Sequence, residues 1–153
     1  MKPYLEMNVI RYSIMINQNY YQFFKDYLVD PSMSEESISR SLYEASFVVL
    51  AHDGSEDPAF TYANRTAQEL WGYSWREFMG MPSRLSAAPD YREDRGGFLK
   101  EVREKGYSSE YRGIRIDKNG RSFSIERVAL WNLLDPKTGI GGQAACFKEW
   151  RYL

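Results

Sequence analysis

The spacing of apolar residues predicts two helices near the start of the chain. Within the stretch YYQFFKDYL, apolar side chains recur at intervals of three and four residues, as on one face of an amphipathic helix. This face consists of Tyr20, Phe23, Phe24, Tyr27 and Leu28. We expect Asp30-Pro31 to end the helix, because proline disfavours helical conformation in the residue before it. Ser34 then caps a second predicted helix over residues 35–44, which has two glutamates in its first turn.

The middle of the chain alternates between strand and helix signals. FVVLAHD and AFTYAN are rich in β-branched and aromatic residues, which predicts two strands joined by a turn at DGSEDP. Asn64 is the predicted N-cap of a helix over RTAQELW, and Gly72 is expected to end that helix. The apolar side of this helix consists of Ala67, Leu70 and Trp71. Ser74, with Glu77 three residues later, predicts a capping box for the next helix.

The last third of the chain changes from helical to strand periodicity. A helix over residues 94–105, with Phe98, Leu99 and Val102 on its apolar face, is expected to end at Gly106. Three strands follow, with an Asn-Gly turn at 117–120 and a second turn at 135–139. This order predicts an α+β domain over residues 45–153, with one five-stranded antiparallel sheet and helices on one face. Residues 1–44 are predicted to be N-terminal flanking helices.

Composition and charge exclude some classes of protein. The 153 residues suffice for one domain with a single core. The net charge of -1 argues against sequence-independent nucleic-acid binding, which requires a basic surface. We expect no membrane contact, because no apolar run approaches the roughly 20 residues that span a bilayer. The N-terminal residues are too often polar for a signal peptide, so a cytoplasmic location is expected.

The single cysteine and the single histidine limit metal and thiol chemistry. Cys146 and His52 do not make a zinc site, which usually takes three or four protein ligands, so no metal is expected. A Cys–His catalytic pair stays open. However, Cys146 lies in an apolar run, where a free cysteine is more often a small core residue.

The stretch YANRTAQELWGYSWREFMG resembles the PAS family. In that family an Asn after the second strand begins a helix, as Asn64 does here, and a Gly-Tyr-Ser turn such as 72–74 precedes the next helix. The chain is also similar to the MEKHLA domain, a PAS-like module, in FVVLAHD, MPSRLSA, GYSSEYRGIRIDKNGRSFSIERVALWNLLD and GGQAACF. The resemblance covers residues 45–150 and implies a PAS-like sheet with a sensory or protein-interaction role. It also implies that flanking helices pack on the outer sheet face.

The resemblance allows the usual PAS ligands to be checked against these residues. Haem requires an axial ligand, usually a histidine on the long helix, and residues 94–105 contain none, so haem is not expected. In flavin-binding light–oxygen–voltage domains, the stretch that matches GMPSRLSA carries the reactive cysteine. Ser83 occupies the position of that cysteine here. Serine is a far weaker nucleophile than a thiol. Arg84 matches the arginine at the flavin phosphate and Gln143 a glutamine of the last strand, but the paired asparagines that read the flavin ring have no match. A flavin is therefore not favoured, and the cofactor stays unknown.

Polar residues within the predicted strands suggest a ligand-binding cleft. Strict alternation places Arg127 in an apolar row with Trp131, and Arg115 on one face with Tyr111. A charge that faces a core must be paired, so these arginines either form ion pairs with Glu110 or Glu126, or meet an anionic ligand. The candidate ligand-binding residues are Trp71, Ser83, Arg84, Tyr111, Arg115, Arg127, Trp131 and Gln143.

Three functions stay open at this point. The first is a small-molecule sensor that signals through protein contacts. The second is a ligand-free module that forms a homodimer through the aromatic N-terminal helix. The third is an enzyme that uses the polar pocket, although no motif for hydrolysis, phosphoryl transfer or redox catalysis is recognised, so no enzymatic activity is expected.

Overall fold

The computed structural model describes residues 2–87, 100–135 and 139–153 and contains one antiparallel sheet. Its strands are β1 (Val48–His52), β2 (Phe60–Ala63), β3 (Tyr107–Ile116), β4 (Ser122–Asp135), β5 (Gly139–Phe147) and β6 (Glu149–Tyr152). The first five follow the spatial order β2-β1-β5-β4-β3, which confirms the predicted α+β class and five-stranded antiparallel sheet. The short strand β6 was not predicted. It continues beyond β5 along the same edge of β4.

The helices differ from the predictions mainly at the N-terminus. They are α1 (Met7–Phe24), α2 (Glu35–Tyr43), α3 (Arg65–Trp71), α4 (Trp75–Phe78) and α5 (100–105). Helix α1 ends at Phe24, before the stop expected at Asp30-Pro31, because Lys25 adopts a left-handed conformation with φ of 59°. The buried Asn17 side chain then holds the following segment, since its Oδ1 accepts hydrogen bonds from the N–H groups of Leu28 and Val29.

Two sequence predictions fall partly outside the described residues. The first six residues of the predicted helix 94–105, including Phe98 and Leu99, lie outside the described residues, whereas Val102 in α5 is buried. The centre of the predicted turn 135–139 also lies outside the described residues.

Both faces of the sheet are covered. On the inner face, α3 and α4 pack over a core that includes Phe60, Leu70, Trp71, Phe78, Val128 and Leu130. On the outer face, α1 packs over a second core that includes Val9, Ile16, Val49, Ala51, Trp131 and Leu133. Tyr20 of α1 packs edge-on against Trp131, with ring centroids 5.0 Å apart. The prediction that the N-terminal helix covers the outer sheet face is therefore confirmed within the chain itself.

A bulge in β4 corrects the predicted facing of its residues. Ile125 pairs with Gly113, and Val128 pairs with Tyr111. Between these two pairs β4 contains one residue more than β3. The bulge lies at Arg127, which has a left-handed φ of 53°. Strict alternation puts Arg127 and Trp131 on the cleft side of β4 and therefore assigns Val128 and Leu130 to the opposite, outer face. In the structure, Val128 and Leu130 instead face the inner core. The bulge lies where the partner of β4 changes from β6 to β5.

Asn64 does more than cap α3. Its Oδ1 accepts from Ala67 N–H at 3.1 Å, as an N-cap should, and also from Val49 N–H at 3.1 Å. Its Nδ2 donates to the carbonyls of Leu42 at 3.1 Å and Phe47 at 2.8 Å. One fully buried amide therefore joins α2, β1 and α3. The predicted left-handed Gly72 and the capping box of Ser74 are also confirmed.

Candidate functional site

The inner face of the sheet borders a small cavity beneath α3. Its described lining is largely apolar and includes Leu50, Phe60, Trp71, Ile125, Val128, Leu130 and Phe147. Its volume is about 40 Å³, measured as the space open to the centre of a water-sized sphere. This space is larger than a single water requires, so the cavity has room for water or a small ligand.

Arg115 brings a positive charge to this cavity. The side chain is 7% exposed and lies on β3 with Tyr111, as predicted. Its Nη2 donates to Tyr111 Oη at 2.8 Å, and its Nη1 donates to the Ile114 carbonyl at 3.0 Å. Both acceptors are neutral. Neither of the predicted glutamate partners, Glu110 or Glu126, forms an ion pair with Arg115 in the described part of the chain, so that interpretation is wrong.

Gly113 makes the contact between Tyr111 and Arg115 sterically possible. The three residues alternate along β3 and share one face. A Cβ on Gly113 would lie 2.7 Å from Tyr111 Oη and 2.8 Å from Arg115 Nη1. The absence of a side chain at this position therefore leaves the space in which the two polar groups meet.

Further polar groups line the cavity from β1 and β5. His52 and Gln143 are paired neighbours in the sheet and are both buried. His52 Nδ1 lies 2.9 Å from the Asp53 carbonyl, and because a carbonyl only accepts, this nitrogen carries the hydrogen. Gln143 Nε2 donates to Asn132 Oδ1 at 3.3 Å. Ser86 lies opposite, where its carbonyl accepts from Trp71 Nε1 at 3.4 Å.

The structure brings together half of the predicted ligand-binding residues. Trp71, Tyr111, Arg115 and Gln143 line the cavity. The residues placed elsewhere are Ser83, Arg84, Arg127 and Trp131.

Each of these four has a different environment. Ser83 is fully buried beside the cavity wall, in the short turn that follows α4. Arg84 points outward and pairs with Asp57 at 3.1 Å. Arg127 is 80% exposed, 3.9 Å from Glu149, so its expected place in an apolar row is wrong. Trp131 lies on the outer face against α1.

A flavin does not fit the described site. The described lining is largely apolar and contains no asparagine that could read the flavin ring. Arg84, which would hold the phosphate, is engaged with Asp57 at the surface. Among the described residues, Ser83 is not part of the cavity lining.

Two polar residues of the described lining were missed by sequence reasoning. His52 was considered only as a metal ligand or a partner of Cys146, but it is the last residue of β1, lines the cavity and is 8% exposed. His52 follows Val48 and Leu50 at intervals of two residues, and this alternation was the signal that could have placed it on the same face of β1. Ser86 follows a proline-containing turn and carried no periodic signal.

Other reactive groups are kept out of the site. Cys146 lies in the outer core, and burial raises the pKa of its thiol to about 12, so the thiolate is not formed at neutral pH. Within the described residues, no three His, Cys, Asp or Glu side chains come together as metal ligands do. No helix in the same part of the chain has the length and apolar character needed to cross a membrane.

Curated proteins that resemble this chain include two homeobox-leucine zipper proteins from Oryza sativa. The homeobox-leucine zipper protein HOX29 of Oryza sativa subsp. japonica is 26% identical over 145 residues, which cover 90% of this chain. The protein of the same name from subsp. indica is 25% identical over 129 residues, which cover 82%. The chain spans only 16% and 15% of the lengths of these relatives.

Solved structures confirm the PAS-like fold. The PAS domain of a Colwellia psychrerythraea protein has a TM-score of 0.65 at 15% identity, with 77% of this chain and 95% of that chain covered. An RNA-binding light-oxygen-voltage receptor also reaches 0.65, at 18% identity, over 78% of this chain and 34% of that chain. A light-oxygen-voltage domain studied with a flavin analogue reaches 0.60, at 18% identity, over 76% and 84%. The family itself follows from the sequence: the MEKHLA domain model matches residues 10–152, and the chain belongs to the MEKHLA domain family.

Proposed function

We propose that this MEKHLA domain binds a small molecule in the cavity beneath α3 and passes the bound state to a partner protein through surface contacts. The observation that carries the proposal is Arg115. It is buried, it lines the cavity, and it has no carboxylate partner among the described residues.

The energetics of a buried charge support a ligand at this position. An ionised side chain that is removed from water is costly unless it is paired and hydrogen-bonded. Tyr111 and Ile114 together satisfy two of the five N–H groups of the guanidinium and bring no opposite charge. A bound anion would add acceptors and an opposite charge inside the cavity.

The surroundings of Trp71 suggest how occupancy reaches the surface. Its indole lines the cavity, while its backbone carbonyl accepts from Lys118 N–H at 2.8 Å in the β3–β4 turn. The Lys118 ammonium in turn lies 2.7 Å from Glu77 Oε2 at the start of α4. A displacement of Trp71 would therefore move an exposed turn and the start of a helix, which a partner protein can detect.

A matched pair of cavity and surface-face variants tests this proposal. Ala145→Val adds volume on the inner face, whereas Ala129→Val adds the same volume on the outer face of the same sheet. We expect native mass spectrometry or a thermal-shift screen of small molecules to find a ligand that binds the wild type and Ala129→Val but not Ala145→Val. Binding that is equal in both variants, or no binding to the wild type at all, would contradict the proposal.

The remaining expectations from the sequence stay predictions. These are a homodimer, a cytoplasmic location, no nucleic-acid binding by the domain itself and no enzymatic activity. Sedimentation, cell fractionation and gel-shift assays test the first three.

A further inference from the structure

We infer that the ligand is a short-chain monocarboxylate, held by the guanidinium of Arg115. This inference rests on the proposed function and adds the chemical class of the ligand to it. Charge, volume and wall chemistry each contribute to the choice.

The charge at the site selects an anion. Arg115 is 7% exposed and its two hydrogen-bond acceptors are an uncharged hydroxyl and a carbonyl. Glu110 and Glu126, the acids nearest to it in the two strands, are both exposed. The planar fork of a guanidinium matches the two oxygens of a carboxylate, which forms paired, charge-assisted hydrogen bonds with it.

The volume of the cavity limits the size of that anion. The cavity offers about 40 Å³ to the centres of water-sized spheres, which favours a small anion. This accommodates a carboxylate group with a short alkyl chain. A phosphorylated sugar or a multi-ring acid would require the surrounding core to move.

The walls suit an alkyl chain on the carboxylate. Apart from the polar groups already described, the lining consists of apolar side chains such as Phe60, Ile125, Val128, Leu130 and Phe147. Burial of each methylene group against such walls contributes about 0.8 kcal/mol. The polar group of the ligand therefore belongs at Arg115, with its alkyl chain against these side chains.

Propionate, propionamide and inorganic phosphate distinguish the alternatives in the wild-type protein. The reporter is the indole N–H signal of Trp71 in an NMR titration at constant ionic strength, because this indole lines the cavity. The indole of Trp131, on the outer face, is the internal control. We expect propionate to shift the Trp71 signal saturably and leave Trp131 unchanged, with propionamide and phosphate at least about tenfold weaker.

Variants assign the effect to Arg115. Arg115→Met should weaken propionate binding by about 10- to 100-fold, as expected for loss of a charge-assisted hydrogen bond. Arg115→Lys, which keeps the charge but not the fork, should weaken it less. Arg112→Met removes an exposed arginine from the same strand and should leave binding unchanged.

Each contrary result has a distinct meaning. Propionamide binding as tightly as propionate would overturn the carboxylate inference, while a binding cavity, and with it the proposed function, would stand. Phosphate binding more tightly than propionate would overturn the carboxylate class. If no probe shifts Trp71, the inference fails, and the comparison of Ala145→Val with Ala129→Val decides the proposed function separately. If Arg115→Met does not fold, the comparison of propionate with propionamide in the wild type still decides.

Discussion

Replacement of Asn64 by alanine should destabilise the domain far more than loss of an ordinary helix cap. The substitution removes the cap of Ala67 N–H, which typically costs about 1 kcal/mol. It also removes the side-chain partner of three more backbone groups, the Val49 N–H and the carbonyls of Leu42 and Phe47. At about 1 kcal/mol for each lost hydrogen bond, the free energy of unfolding should fall by about 4 kcal/mol in all.

Chemical and thermal denaturation measure this loss against a matched cap. For a chain of this size, about 4 kcal/mol corresponds to a drop in Tm of roughly 8–16 °C. Ser74→Ala removes the side chain that caps α4 by accepting from Glu77 N–H at 3.1 Å, and it should cost only about 1 kcal/mol. Equal losses in the two variants would refute the argument that Asn64 joins three elements.

Asn64→Asp separates the acceptor role from the donor role. An aspartate keeps both acceptor contacts but directs negative oxygen at the carbonyls of Leu42 and Phe47. Its pKa in the folded state should therefore lie above the unfolded value. Stability at this position is then greatest below the unfolded pKa and is lost as the pH rises through the folded pKa. We expect Asn64→Asp to be less destabilised at pH 4 than at pH 8, and a deficit that does not change with pH would contradict this.

Three further predictions concern the bulge, the α4 cap and the N-terminal helix. Arg127→Gly should raise the free energy of unfolding by about 0.5–1 kcal/mol, because glycine accepts φ of 53° without strain. The control is Arg112→Gly, which should destabilise the domain because φ of Arg112 is not positive. A lower Tm for Arg127→Gly would disprove the argument from strain. The hydrogen bond from Lys118 lowers the pKa of Glu77 to about 2, so its stabilising effect is present above the unfolded pKa and is lost as the pH falls towards 2. NMR titration should show this pKa rise in Lys118→Met, and an unchanged value would count against the contact. Deletion of residues 1–33 should lower the Tm because it uncovers the outer core, and it should convert a dimer to a monomer if the helix is shared between copies. Unchanged melting and sedimentation would show that this segment is dispensable.

The family resemblance and the local signals were readable from the sequence because they depend on short stretches of chain. Asn64, Gly72 and Ser74 occupy positions where backbone geometry selects a particular residue, so each cap was predicted and is observed. The same applies to the Asn-Gly turn between β3 and β4. The alternation of Tyr111 and Arg115 within the regular part of β3 also placed both of them correctly.

Tertiary structure alone decided where the other charged and aromatic candidates lie. A bulge at Arg127, whose backbone is left-handed, shifts the side-chain period of β4 by one in its pairing with β3. That shift places Val128 and Leu130 on the inner face, and it leaves Trp131 on the outer face under α1. No local pattern within β4 predicts this bulge, because it shows only in the pairing of β4 with β3. That Arg115 has no ion pair among the described residues is likewise a property of the assembled core, because it depends on which acids the fold brings near and which it leaves in solvent.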